Sequence, residues 1–464
     1  VHAPQIVYCL GAFFFIGYLI SRAENKWFIS AIFLWLFSTP ILGDQYYPIA
    51  IHFAGVDFQP NRLLFLFFFA VVCIIIVQAR AERKSLLDIT IYRLRYYELW
   101  MIVYISITIL TIVFNYSELG AQAVVVNTIK LLTFLLVYFF SREHVSPADF
   151  RLLAIAIVSI AALSAMAGVY QFFGDPNFFR VGAIRPAFGV YMRANGFFYS
   201  EYEQGIFLTI ALIIGMLTID NDLWKTLMVA TLPAGVFFTM HRASWAILAV
   251  ALGMILIRDF RKTYLWIFTS AIVAVFAAFL VMNTQLQRNY TGSFLEEMIN
   301  VRVEDNTWDV RLTYNQFAID MLQKYPLGIG DYTSGIYYRE TYKMSLDFME
   351  GTPLIVHNGF LSAGVVYGVA GMVSFILFII SLLIHYLKKG LWLSNIGFMV
   401  ALIMLSFFII NMTQDFSFLG DTIGLFFGLL IGASLSLSHW SENSRRANPN
   451  IIHSTINQSR EMMP

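Results

Sequence analysis

Lys225-Thr-Leu-Met-Val-Ala-Thr-Leu-Pro-Ala-Gly-Val-Phe-Phe-Thr-Met-His241-Arg242-Ala-Ser-Trp-Ala-Ile-Leu-Ala-Val-Ala-Leu-Gly-Met-Ile-Leu-Ile-Arg258 is the stretch that decides the fold. Two apolar arms of about 15 residues flank a polar pair, His241-Arg242. A single helix would run about 48 Å and put Lys225 and Arg258 on opposite membrane faces. A hairpin puts both cations on one face. Each arm then spans about 22 Å, less than the ~30 Å hydrocarbon core. Arg242 is therefore expected in a recess below the far membrane surface. An arginine there is costly and by default marks a functional site. The plainer alternative is one that snorkels or is paired for structural reasons.

The same reading extends along the chain. Of 464 residues, 59% are hydrophobic and 13% charged, with mean hydropathy +0.69. A soluble protein carries about a quarter charged residues. About thirteen apolar spans follow: 4–20, 27–42, 62–78, 99–114, 121–140, 152–173, 204–219, 225–240, 243–257, 264–282, 357–385, 394–412 and 422–438. The first is read as a resident helix, because a second follows at once. The expected fold is an all-α polytopic membrane protein. A net charge of +1 gives no field for nucleic acid. Cys9 and Cys73 fall inside spans and make neither a disulfide framework nor a metal site.

Alternate connections segregate by charge. Arg22, Lys26, Arg80, Arg83, Lys84, Arg93, Arg95, Arg142, Arg151, Lys225, Arg258, Arg261, Lys262, Lys388 and Lys389 fall in one set, which is cytoplasmic by the positive-inside rule. Residues 439–464 join that side as a polar tail, read as disordered. The other set faces out. Its loop 174–203 holds Arg180, Arg185 and Arg193 without a lysine. Loop 283–356 is the one sizeable soluble piece. The expected organisation is therefore helices within 1–282, the outer loop 283–356, helices within 357–438, and the tail.

Within the large outer loop, Val310, Tyr314, Phe317, Ala318, Met321, Leu322 and Tyr325 share one helical face. An amphipathic helix over 308–325 is expected, stopped by Pro326, Gly328 and Gly330. Arg311 lies one turn from its start, where the helix dipole favours an anion. A surface salt bridge to Asp309 or Glu304 explains Arg311 equally well. Next comes Val356-His-Asn-Gly-Phe-Leu-Ser-Ala-Gly-Val-Val-Tyr-Gly-Val-Ala-Gly371. His357 and Asn358 stand where the loop re-enters the membrane, and a histidine there exchanges protons near neutral pH. Gly364, Gly368 and Gly371 share a face and are read as helix-packing positions. A base beside fixed arginines at an outer membrane face points to transfer of a group carried on a phosphorylated lipid. No Walker loop, dinucleotide fingerprint or zinc-type cluster occurs. Asp220-Asn221-Asp222 is read as a solvated turn, and Glu201 and Glu203 are weak acidic candidates.

Three passages together resemble the O-antigen ligase and polymerase superfamily of bacterial membrane glycan transferases. They are Met240-His-Arg-Ala-Ser-Trp245, Val310-Arg-Leu with Tyr325-Pro-Leu-Gly-Ile-Gly330, and His357-Asn-Gly-Phe-Leu followed by Gly368 and Gly371. The resemblance covers about residues 180–430. Arg185 and Gly196 also resemble the arginine-loop motif of the polymerases. One departure is the count of thirteen spans, where ligases usually show twelve.

The resemblance implies a GT-C-like glycosyltransferase of about twelve to fourteen helices, with inverting chemistry and neither metal nor other cofactor. It also implies an undecaprenyl-diphosphate-linked glycan donor. The acceptor is a lipid-linked repeat unit for a polymerase, or lipid A core or a protein hydroxyl for a ligase. It implies that His357, Arg242 and Arg311 are the catalytic residues. Arg180, Arg185, Arg193 and Asn358 are expected to bind substrate. Membrane lipids and a chain-length regulator protein are the further expected partners, and the bacterial inner membrane the location, with the site facing the periplasm. The expected activity is polymerisation of O-antigen or capsular repeat units, with ligation as the alternative. A non-enzymatic lipid-glycan flippase is disfavoured, because the spans hold few charges, Lys130 chief among them.

Overall fold

The computed structural model describes residues 3–38, 52–53, 56–57, 60–81, 95–114, 116–180, 184–188, 191–198, 200–219, 221–258, 307–329, 358–388, 394–413 and 422–447. The described helices are α1 (Ala3–Arg22), α2 (Lys26–Ser38), α3 (Pro60–Ala81), α4 (Tyr96–Phe114), α5 (Tyr116–His144), α6 (Pro147–Phe173), α7 (Glu201–Thr218), α8 (Asp222–Phe238), α9 (Arg242–Arg258), α10 (Thr307–Lys324), α11 (Gly359–Lys388), α12 (Asn395–Thr413) and α13 (Thr422–Ala447). Two small antiparallel hairpins accompany them: β1 (His52–Phe53) with β2 (Val56–Asp57), and β3 (Pro186–Phe188) with β4 (Tyr191–Met192). The protein is an all-α polytopic membrane protein, and among the described residues these short hairpins are its only strands. By length and composition, five of the described helices are suited to cross a membrane, at 96–114, 147–173, 201–218, 359–387 and 395–412.

Each expected span overlaps a helix except 264–282, which lies outside the described residues, as do 39–42 of span 27–42 and residue 357 of span 357–385. The helix ends differ for local reasons. Ser146 accepts the Asp149 N–H at 3.1 Å and Pro147 takes the first turn, so α6 starts before its apolar run. Ser200 and Glu203 form a capping box that starts α7 at Glu201, inside the stretch read as loop 174–203. The last helix is a correction. It runs on to Ala447, into the stretch read as a disordered tail. Its polar end continues the helical hydrogen bonds of an apolar segment that is already formed.

The core runs through most of the described helices, and α7, packed against α6 and α8, is the most completely buried of them. Every residue of α7 from Glu203 to Gly215 is buried. Glycines permit this closeness. A Cβ on Gly235 would stand 2.6 Å from the Ala165 Cβ, and one on Gly432 of α13 would stand 2.4 Å from the Tyr138 carbonyl oxygen of α5. The outward surface is apolar instead, with Phe13 and Phe14 of α1 both 72% exposed. Side chains of this kind face lipid in a membrane protein.

Charged side chains collect at both ends of the bundle. At one end, Glu98 at the start of α4 accepts from Arg142 and, at 2.7 Å, from the Tyr138 hydroxyl. Arg95 lies 3.1 Å from His385 near the end of α11. Asp149 accepts the Glu24 N–H at 2.9 Å, and Arg258 donates to Asn395 at 2.8 Å. The step from Lys388 to Ser394 reaches about 21 Å at most, so α11 ends where α12 begins. The loop arginines and Arg242 belong to the opposite end. There Gly168 of α6 meets Gln204 of α7, and Gly205 of α7 meets Ser244 of α9.

Candidate active site

Two sequence motifs from separate helices meet backbone to backbone at this second end. Phe317, Ala318 and Met321 of α10 are buried, and Leu322 would stand 3.0 Å from a Cβ on Gly364 of α11. The chain then turns at Pro326-Leu327-Gly328, with Gly328 at φ +86°. Ile329 donates its N–H to the Val365 carbonyl at 3.0 Å, and Val369 donates to the Pro326 carbonyl at 2.9 Å. The second bond requires a break in α11. Gly368 supplies it at φ 76°, ψ 176°. A Cβ on Gly328 would lie 2.5 Å from the Gly368 nitrogen, and one on Gly368 would lie 2.6 Å from the Pro326 oxygen. Only glycine adopts such backbone without strain or clash. Gly364 does pack helices, as expected. Gly368 corrects the sequence reading, because it breaks a helix to receive a loop.

This junction ties the helix that carries Arg311 to the helix that follows His357. Arg311 lies in α10, one turn from its start, and its side chain lies outside the described residues. His357 also lies outside them, immediately before Asn358. Asn358 caps α11: its Oδ1 accepts the N–H groups of Phe360 and Leu361 at 3.1 Å each. That contact positions the helix start and engages the side-chain oxygen of a residue expected to bind substrate.

Arg242 is the first residue of α9 and is exposed. The turn before it is held on several sides. Met240 takes φ +52°, a conformation uncommon outside glycine. The Trp245 indole donates to the carbonyls of Val236 and Phe237 at 3.2 Å, and Ala194 donates to the Phe238 carbonyl at 3.0 Å. These donors satisfy the end of α8. His241 caps α9, with Nδ1 accepting the Ser244 N–H at 3.3 Å and lying 2.8 Å from the Ser244 hydroxyl. The α8–α9 pair is thus the hairpin expected from sequence.

The loop between α6 and α7 stands beside this turn. Arg185 and Arg193 each reach Glu201 Oε1 through Nη1, at 3.2 and 3.1 Å. Arg180 behaves differently. It is buried, donates to the Pro176 carbonyl, and donates to the Arg193 carbonyl at 2.7 Å. Burial lowers its pKa from the ordinary value, and the Glu201 carboxylate opposes the shift. Arg180 therefore acts on the loop through Arg193. Gly196 takes φ +52°, and a Cβ there would lie 2.7 Å from the Ser164 carbonyl. Gln171 holds the same turn, accepting from Asn195 and Gly196 and donating to Gly196 O at 2.8 Å. Glu201, a weak candidate from sequence, is the acid that organises two of the three loop arginines. Its signal was the capping box Ser200-Glu-Tyr-Glu203, which moves Glu201 from loop to helix.

The contacts at this end thus form two groups: Arg180, Arg185 and Arg193 with Glu201 beside the Arg242 turn, and the helix of Arg311 with the helix that Asn358 caps.

Residues 227–376 match the O-antigen ligase family model.

The matched segment runs from α8 through the Arg242 turn and α10 into α11, and spans the positions of Arg242, Arg311 and His357. The loop arginines precede it. No curated protein matches the chain. The chain is thus similar to the O-antigen ligase and polymerase superfamily. The similarity implies a membrane glycosyltransferase of ligase or polymerase type, with a lipid-linked glycan donor and an acceptor.

Proposed function

We propose that the protein transfers a glycan from undecaprenyl diphosphate to a sugar hydroxyl at the periplasmic face of the bacterial inner membrane. The loop 283–356 and the arginine-bearing end then face out, and the basic end faces the cytoplasm. His357 removes the acceptor proton as the acceptor oxygen attacks the anomeric carbon, help typically worth about 10²–10⁴ in rate. Arg242 and Arg311 bind the diphosphate and stabilise the charge that grows as it leaves. Arg242 at the first residue of α9 and Arg311 in the first turns of α10 add helix-start amides to their own charge. A single displacement inverts the anomeric centre without a metal ion.

The observation that carries this reading is the Gly328–Gly368 junction. It fixes the helix bearing Arg311 to the helix that His357 precedes. The reading favours polymerisation of repeat units, since Arg185 and Arg193 offer a place for a second lipid diphosphate. Ligation to lipid A core is the second reading, favoured by the family-model match. The deciding experiment supplies purified protein with defined lipid-linked repeat units, with and without lipid A core. Chain growth without the core supports polymerisation. Transfer only to the core supports ligation, and no transfer to either removes the proposal.

A further inference from the structure

Glu201 stands where an anionic ligand of the loop arginines would stand. Its side chain is 7% exposed, against 55% for Arg185 and 27% for Arg193, so the acid lies beneath and the cations look outward. The acid is held by its backbone, at the first residue of α7 behind the Ser200–Glu203 capping box. The cations are held by theirs. Arg193 donates its N–H to the Arg185 carbonyl at 2.9 Å, Arg180 braces the Arg193 carbonyl, and Gly196 closes the turn against Ser164. Two guanidinium forks thus converge on a single carboxylate oxygen. A guanidinium presents five N–H donors and matches a diphosphate better than one oxygen.

The surface beside this cluster is built for a chain. α6 and α8 leave a groove of about 370 Å³ lined by Met166, Val169, Tyr170, Phe173, Thr231 and Ala234, among others. Met166 and Tyr170 are each 52% exposed on its outer side. At one end, Phe173 and Ala234 pack against a cluster that includes Ala187 and Tyr191 of the arginine hairpin. Tyr191 stacks on Phe172 at 5.0 Å. The groove therefore runs from beneath the hairpin along the lipid-facing surface. An anionic head joined to a long apolar chain fits both parts.

We propose that the Arg185–Arg193 hairpin is a second diphosphate site, that Glu201 is its built-in counter-anion, displaced when a prenyl diphosphate binds, and that the prenyl chain lies in the α6–α8 groove. This rests on the reading that the loop arginines hold a diphosphate, and it adds a device that keeps the site closed until the right anion arrives. The carboxylate shields the two cations from single-charge anions. A diphosphate, with more charge and more acceptor oxygens, outcompetes it.

The test titrates inorganic diphosphate and farnesyl diphosphate into the full chain in nanodiscs, by calorimetry, with no acceptor present. Glu201→Gln keeps an acceptor oxygen for the hairpin and removes the competing charge. It should tighten binding of both ligands about tenfold, equivalent to ~1.4 kcal/mol. Glu201→Asp, too short to reach both arginines, should also tighten it. Adding Arg185→Gln to Glu201→Gln should abolish the gain. Farnesyl diphosphate should bind more tightly than inorganic diphosphate, and Thr231→Trp should erase that difference alone. If both Glu201 variants bind inorganic diphosphate no more tightly than wild type, Glu201 is only a brace and the counter-anion is overturned. A farnesyl ligand that gains nothing, or that ignores Thr231→Trp, overturns the groove. Because no transfer is measured, lost transfer with these binding results intact counts against the proposed function alone.

Discussion

At the residue scale, the proposed chemistry separates side chains that share a neighbourhood. His357→Ala should abolish glycan transfer in an assay with lipid-linked donor, with the protein still folded in the membrane. His241→Ala should behave otherwise. His241 caps α9 through Nδ1, so its loss should cost about 1 kcal/mol of stability while turnover persists. Thermal unfolding and transfer rates of the two variants distinguish the roles. Equal loss of turnover in both would make the region structural. Arg242→Lys and Arg311→Lys should each lose most of their turnover, since lysine lacks the planar fork that grips two phosphate oxygens. The loss should appear in kcat, because the charge to be stabilised develops in the transition state. The double variant should be little worse than either single one. Lysine variants with near-normal kcat would show that these positions merely steer the anion.

At the element scale, the junction of Pro326–Ile329 with the broken α11 is the feature to test. Gly328→Ala and Gly368→Ala each place a Cβ within 2.6 Å of backbone atoms, at φ +86° and +76°. Backbone atoms do not yield as a flexible side chain does. Each variant should lose about 1–3 kcal/mol of stability, with a drop in transfer larger than the unfolded fraction explains. Gly364→Ala meets the side chains of Leu322, at 3.0 Å, and Met372, at 3.2 Å, rather than backbone, and should be milder. Stability and transfer rates measured on all three variants check this order. If Gly364→Ala proves the most damaging, helix packing outweighs the loop junction. Much of this region was legible in sequence. The period of Phe317, Ala318 and Met321 gave α10 and its buried face. The partner of Gly328 was not legible, because Gly368 lies 40 residues on and its spacing to Gly364 and Gly371 also fits plain helix packing.

At the scale of the whole molecule, the chain alternates between a basic end and an arginine-hairpin end. The proposed orientation puts the first in the cytoplasm and the second outside. In a background of Cys9→Ala and Cys73→Ala, Ser345→Cys should label with an impermeant thiol reagent added from the periplasm. Asn450→Cys should label only after the membrane is opened. Labelling of both from one side would leave the proposed mechanism without a site on the donor's face. Removal of Cys73 matters, because it is a free, exposed thiol on α3.

The sequence by itself determined the membrane class, the helix series, the α8–α9 hairpin around Arg242, and the segregation of cations. Each follows from local composition and from the cost of placing charge in hydrocarbon, which acts on every segment separately. Only the tertiary structure decided which loop arginine is a brace and which faces outward. The three look alike in sequence, yet Arg180 is buried on the Arg193 carbonyl while Arg185 and Arg193 meet Glu201. It also decided that Asn358 caps a helix and that Gly368 breaks one. Such roles depend on partners brought close by folding, and the spacing of residues along the chain does not encode them.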